Sequence, residues 1–146
     1  MTDSSVRAAF LAGERPEDVA LYLSASFVDN IDSLAEQGQR TEDGVVLVVD
    51  GDRGRSVFKS MTGMDAMDFA GNAMQNTGSI DRDLTGGECP NAAEGPQEHT
   101  PEFTFAFTEA QNEEVGGMYA EGDVVHAYVY CSCGTAYSDK WLAGEA

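Results

Sequence analysis

The chain has 146 residues, with 26 Asp plus Glu against 8 Lys plus Arg and a formal charge of −18. Its only lysines are Lys59 and Lys140. Phosphate binding needs clustered cations that displace counterions, and only Arg53, Arg55 and Lys59 gather here, so direct DNA or RNA binding is excluded from the expected functions.

The acidic residues do not form a tail. Ten fall in residues 1–50, eight in 51–100 and eight in 101–146, as a solvated acidic surface would have them rather than a decoy for a basic partner. Such self-repulsion strains a compact fold at ordinary ionic strength, but at molar salt the screening length falls to about 3 Å. The composition therefore reads as adapted to a salt-filled cell interior. The opening MTDSSVRAAFLAG lacks the charged and apolar regions of a secretory signal, and no run approaches the roughly 18 apolar residues of a membrane span. A cytoplasmic protein that does not engage membranes is expected. In that reducing compartment three cysteines do not make a disulfide framework; they are free thiols, metal ligands or a redox pair. With 42% hydrophobic residues, one domain over 1–146 can bury a core.

In chain order, Pro16 to Val28 reads as an amphipathic helix: Pro near the start, Glu17 and Asp18 in the first turn, and Val19, Tyr22, Leu23 and Ser26 on one face. After a loop at 38–44, the run Val45 to Val49 is apolar on both faces, as a central strand is. Asp50-Gly51-Asp52-Arg53-Gly54 then predicts a turn into a second strand near Arg55 to Lys59, making a hairpin. Thr62 and Asp65 resemble a capping box, followed by a helix with Met64, Met67, Ala70, Gly71 and Met74 on one face. That methionine stripe is expected in the core, with Gly71 giving close approach to a strand.

Residues 76–102 lack a period and hold Pro90, Pro96 and Pro101, which predicts a long loop. Phe103, Phe105 and Phe107 alternate with smaller residues as a half-buried strand does, and a helical turn is expected through Glu109 to Glu114. Val115 to Ala120 and Val124 to Cys131 predict a hairpin about Glu121-Gly122-Asp123, and Gly134 turns the chain into Thr135 to Trp141. The fold class expected is α+β: mostly antiparallel sheet of about five strands, with two main helices on one face.

The segments GERPEDVALYL, DGVVLVVDGDRGRSVF, GMDAMDFA and QNEEVGGMYAEGDVVHAYVYCSCGTAYSDKW, with the acidity throughout, resemble a family of small uncharacterised proteins from halophilic archaea, a domain of unknown function. The resemblance runs from about Leu11 to Trp141. It implies salt adaptation and no particular activity.

Chemistry concentrates at Cys131-Ser132-Cys133-Gly134. An extended strand would put Cys131 and Cys133 on one face with Val125, Ala127 and Val129, and His126 on the other with Tyr128 and Tyr130. Two thiolates on tetrahedral zinc at about 2.3 Å lie roughly 3.8 Å apart, so the pair must curl at Gly134 to serve together. A zinc site would take Cys89 as third ligand and His99 as fourth, and would pin the long loop to the sheet end. Two alternatives stand beside it: three ordinary packing thiols, or a reversible Cys131–Cys133 dithiol.

Asp50 and Asp52 could hold magnesium, yet a polar hairpin tip needs the same residues. His126 has no identifiable partner for general-base work and reads as a sheet residue. The first functional expectation is a noncatalytic cytosolic module that binds a protein or small ligand, through an exposed surface of Tyr128, Tyr130, Tyr137 and Trp141. A zinc domain of Cys89, Cys131, Cys133 and His99 and an enzyme with a dispersed site are the alternatives.

Overall fold

A computed structural model describes residues 9–14, 17–25, 27, 36, 38–41, 44–81, 84, 87–90, 101–109, 114 and 122–143. Strands β1 (Asp18–Ser24), β2 (Gln39–Arg40), β3 (Gly44–Asp50), β6 (Pro101–Glu109), β7 (Val124–Cys131) and β8 (Ala136–Leu142) form one sheet in the order β2-β3-β1-β6-β7-β8. Every pairing in it is antiparallel. Five strands have seven to nine residues and the two-residue β2 extends one edge, so the expected α+β sheet of about five strands is what forms. A second, two-stranded sheet pairs β4 (Ser79–Ile80) with β5 (Gly87–Glu88). Helices α1 (Gly51–Thr62) and α2 (Ala66–Ala73) cover one sheet face, as expected.

The helix-covered face is a cluster of rings. Val19, Leu21, Leu23, Val45 and Leu47 meet Phe58 of α1, Phe69 of α2, and Phe103, Phe105 and Tyr128 from the sheet. Phe58 sits centrally, with ring centroids 5.5 Å from Phe69, 5.3 Å from Phe103 and 5.5 Å from Phe105. Such tilted and edge-on contacts add modestly to the burial of each ring. The opposite face carries smaller side chains, Ala20, Ala106, Val125, Ala127 and Val129, under Phe10, Ile80 and Leu84, with Cys89, Cys131, Tyr137 and Trp141 beside them.

The expected helix over 16–28 is instead β1 where the structure describes it. Val19 and Leu21 face one cluster and Ala20 the other, so the run 19–23 is buried on both sides and shows no polar alternation. Its apolar spacing matched a helix by coincidence. The hairpin expected at 50–59 is likewise α1. Asp50 accepts from Arg53 N–H at 2.9 Å as N-cap, and Gly63 (φ 77) closes the helix by donating to the Lys59 carbonyl at 2.8 Å. Asp52 in the first turn and Lys59 in the last both suit the helix dipole. Gly54 is there for close packing, since a Cβ would stand 2.1 Å from a Val19 methyl.

α2 forms as expected, with a different face inward. Asp65 caps it by accepting from Met67 and Asp68 N–H at 2.9 and 3.2 Å. Ala66, Phe69, Ala70 and Ala73 are buried, while Met67 and Met74 are 52% and 64% exposed and open space surrounds Gly71. The methionine stripe is thus largely the outer face; the smaller alanines fit under Phe69. Thr62 does not cap α2: its hydroxyl donates to the Phe58 carbonyl at 2.7 Å and accepts from Met64 N–H at 3.1 Å.

β6 is more buried than expected. Residues 103–106 are all inside, because β6 is central and both faces are covered. β7, the turn at Gly134 (φ 92) and β8 follow the expectation. The helical turn expected over 109–114 meets β6 at Glu109, and its residues 110–113 lie outside the described residues, as does the hairpin partner at 115–120. Among the described residues, no helix is long and apolar enough to cross a membrane.

Candidate metal centre

The segment expected to be a long loop is tied to the sheet before it reaches Cys89. Gly78 N–H donates to the Ser138 carbonyl at 3.0 Å and Ser138 N–H to the Asn76 carbonyl at 2.9 Å, a short parallel bridge on the outer edge of β8. Ile80 N–H donates to Asp139 Oδ2 at 3.1 Å. Gly78 and Gly87 admit the Tyr137 ring: an added Cβ would lie 2.4 Å from its Cδ2 at Gly78 and 3.0 Å from its hydroxyl at Gly87. Between β4 and β5, Leu84 is buried at φ 72, a left-handed conformation that a branched side chain adopts at a cost. Burial of its side chain in the second cluster offsets that cost.

Cys131 ends β7 among Val125, Ala127 and Val129, the face expected for it. The chain then turns: Gly134 N–H donates to the Cys131 carbonyl at 2.9 Å and Cys131 N–H to the Thr135 carbonyl at 2.9 Å. This curl brings Cys133 back over the sheet end. Cys89, Cys131 and Cys133 then present three sulfurs that all lie within 4.8 Å of one another. The Cys89 and Cys133 Sγ atoms are 3.8 Å apart, the edge of a tetrahedron with metal–sulfur bonds of about 2.3 Å. Three of the four expected ligands are therefore together, and His99 lies outside the described residues. Pro101, two residues after it, pairs directly with Cys131.

Two neighbours of the cluster were not expected. The Thr135 hydroxyl hydrogen-bonds to Cys133 and, with the Thr135 backbone and the other two thiols and against partial burial, draws that thiol down to about 6. Tyr137 stands on the same face of the sheet. Burial first, then the Coulombic influence of the neighbouring Cys131, Cys89, Asp81 and Cys133, pushes its phenol well above the usual range, so it stays a neutral hydroxyl beside the thiols. Its position was readable in principle: a tight turn at 132–135 pairs Tyr137 with Val129, on the face of Cys131.

The other candidates separate. Asp50 is committed as the α1 cap and Asp52 pairs with Arg55 at 2.7 Å on the surface, so neither belongs to a hairpin tip. His126 has the carboxylate partner that local sequence did not reveal: its Nε2 lies 2.8 Å from Glu109 Oε1, with the Phe107 ring stacked at 5.1 Å. It lines an open cleft of about 440 Å³ with Tyr128, Ser138 and Lys140. The expected exposed surface of Tyr128, Tyr130, Tyr137 and Trp141 does not form, and Tyr130, partly buried, packs against the helix-side cluster. Tyr128, Tyr137 and Trp141 are 3%, 1% and 2% exposed and point to opposite faces of the sheet, because β7 and β8 are sandwiched between two clusters.

Fold and site together define an α+β domain with a three-thiol cluster where its sheet end meets a pinned loop. The chain belongs to a family of unknown function, DUF5807, whose match spans residues 38–144 and so includes all three cysteines. No curated protein and no solved structure matches the chain.

Proposed function

We propose that this is a small noncatalytic metal-bound domain in which Cys89, Cys131, Cys133 and His99 hold a zinc ion. The convergence of three thiols from two distant chain segments carries the reading, since such a set supplies soft, tetrahedrally spaced donors. Zinc would join Cys89, just after β5, to the end of β7 and add its binding energy to the fold. The charge of −18 supports a working place in a salt-rich cytoplasm, as in a halophilic archaeon, and the domain there would present its acidic surface to a protein partner or small ligand rather than to nucleic acid or membrane.

Zinc content measured by mass spectrometry, on protein kept reducing and at high salt, tests this. Stoichiometric zinc is expected in the native chain and none in the double variant Cys131→Ser, Cys133→Ser. His99→Gln is expected to loosen the metal and His126→Gln to leave it bound; a metal-free native chain would refute the assignment. The salt reading predicts that the fold weakens as potassium chloride is diluted from about 1 M to about 0.1 M, and unchanged stability would end it.

A second reading, an enzyme with a dispersed site, is favoured by one observation, the Glu109-oriented His126 in the cleft of about 440 Å³. It requires small molecules to perturb His126 and Lys140 resonances selectively. Their indifference to a broad metabolite set would dispose of it.

A further inference from the structure

The three thiols are not equivalent. Cys89 and Cys131 are buried, whereas Cys133 is only partly covered in the turn after β7. Its Sγ is 3.8 Å from that of Cys89, and 44 positions of sequence separate the two. Cys131 is nearer in sequence and its sulfur also lies close to that of Cys133, but the loop a bond between them would close is very short. The two occupy the first and third positions of a turn closed by the Gly134 N–H, and a disulfide across so short a loop is strained. A link to Cys89 closes a long loop instead and removes more freedom from the unfolded chain.

We propose that Cys133 is a modification site for peroxide-class oxidants, with Cys89 as its resolving thiol. This rests on the thiol cluster of the metal reading, and it takes two of that cluster's three sulfur donors. The Cys133 thiolate attacks one peroxide oxygen; an S–O bond forms, the O–O bond breaks and hydroxide leaves. The Cys89 thiolate then attacks Cys133 Sγ; the S–S bond forms, the S–O bond breaks and a second hydroxide leaves. Two thiolates lose two electrons, the peroxide gains them, and solvent protons convert both hydroxides to water. The fold survives the change because β4 keeps its own anchors to Ser138 and Asp139. A dithiol reductant reverses it.

The test treats the full chain with equimolar hydrogen peroxide, once zinc-loaded and once stripped by a chelator. Non-reduced peptides are mapped by mass spectrometry, released zinc is read with a chromogenic chelator, and far-ultraviolet circular dichroism follows the fold. The expected result is a Cys89–Cys133 link in both samples and in Cys131→Ser, with zinc leaving the loaded chain in step with the link and dithiothreitol reversing it. A Cys131–Cys133 link, a Cys133 sulfinic acid without a cross-link, or unmodified thiols would overturn the proposal. A chain that never takes up zinc but forms the Cys89–Cys133 link removes the metal reading and sustains the oxidation site.

Discussion

The two faces of the sheet are closed by different means. Under α1 and α2 the interior is filled by large rings, and two capped helices supply continuous apolar stripes to cover it. On the other face the sheet offers mostly Ala and Val, the described cover is made of short pieces, and the Thr104 and Thr108 hydroxyls are buried with no hydrogen-bond partner among the described residues. Each such hydroxyl costs about 1–3 kcal/mol. The first face is closed chiefly by buried area, whereas the described cover of the second adds directional ties: the edge bridge at Asn76 to Gly78 and the Asp139 carboxylate on Ile80. The three thiols, which could hold a metal, sit on the face whose described cover is made of short pieces.

The comparison breaks most visibly at Phe58. It is fully buried and touches three other rings, so Phe58→Ala is expected to cost about 3–5 kcal/mol in denaturant unfolding, with zinc content per folded molecule unchanged. A loss below about 1 kcal/mol would mean that the helix face is not the principal core. Gly54→Ala probes the same face by overfilling. Its new methyl would press on Val19, and a loss of about 1–3 kcal/mol is expected.

That glycine marks the limit of what sequence showed. β3, α2, β7 and β8 were legible because each has a local signature: a β-branched run, an N-cap before an apolar period, or a turn glycine between alternating segments. β1 and α1 were not. A strand buried on both faces loses its alternation, and Asp50-Gly51 caps a helix as well as it tips a hairpin; which one forms depends on Val19, about 35 positions from Gly54 and reachable only after folding. The thiol trio was legible as a set of donors, since only one curl was required of the C-x-C pair, while Thr135, Tyr137 and Glu109 depend on strand register. Close packing falls on Gly54 and not on Gly71. Gly71 faces open space in a helix, and Gly71→Ala should stabilise by about 0.5–1 kcal/mol.

The second face is sharpened by Asp139→Ala. It strands the Ile80 N–H, and hydrogen exchange at Ile80 should lose about 1–3 kcal/mol of protection while amides of α1 keep theirs. Equal losses on both faces would show that the two clusters unfold as one unit, and that the ties of β4 serve the whole domain.

The smallest expected effect concerns Cys133 in the metal-free chain. Its thiol is drawn to about 6, first by the Thr135 hydroxyl, so near pH 7 it is largely thiolate and should alkylate with iodoacetamide before Cys89 and Cys131. The rate should fall as pH is lowered through about 6. Because the folded value lies below the unfolded thiol value of about 8.5, ionisation favours the folded chain above about 8.5, and that contribution disappears as pH falls to about 6. Partial exposure keeps it small. Thr135→Val keeps the shape and removes the donor, so the fall in labelling rate should move up toward the ordinary thiol range. If the valine variant labels with the native pH profile, the hydroxyl is not what holds the charge, and the Thr135 backbone, then the neighbouring thiols, take its place as the cause.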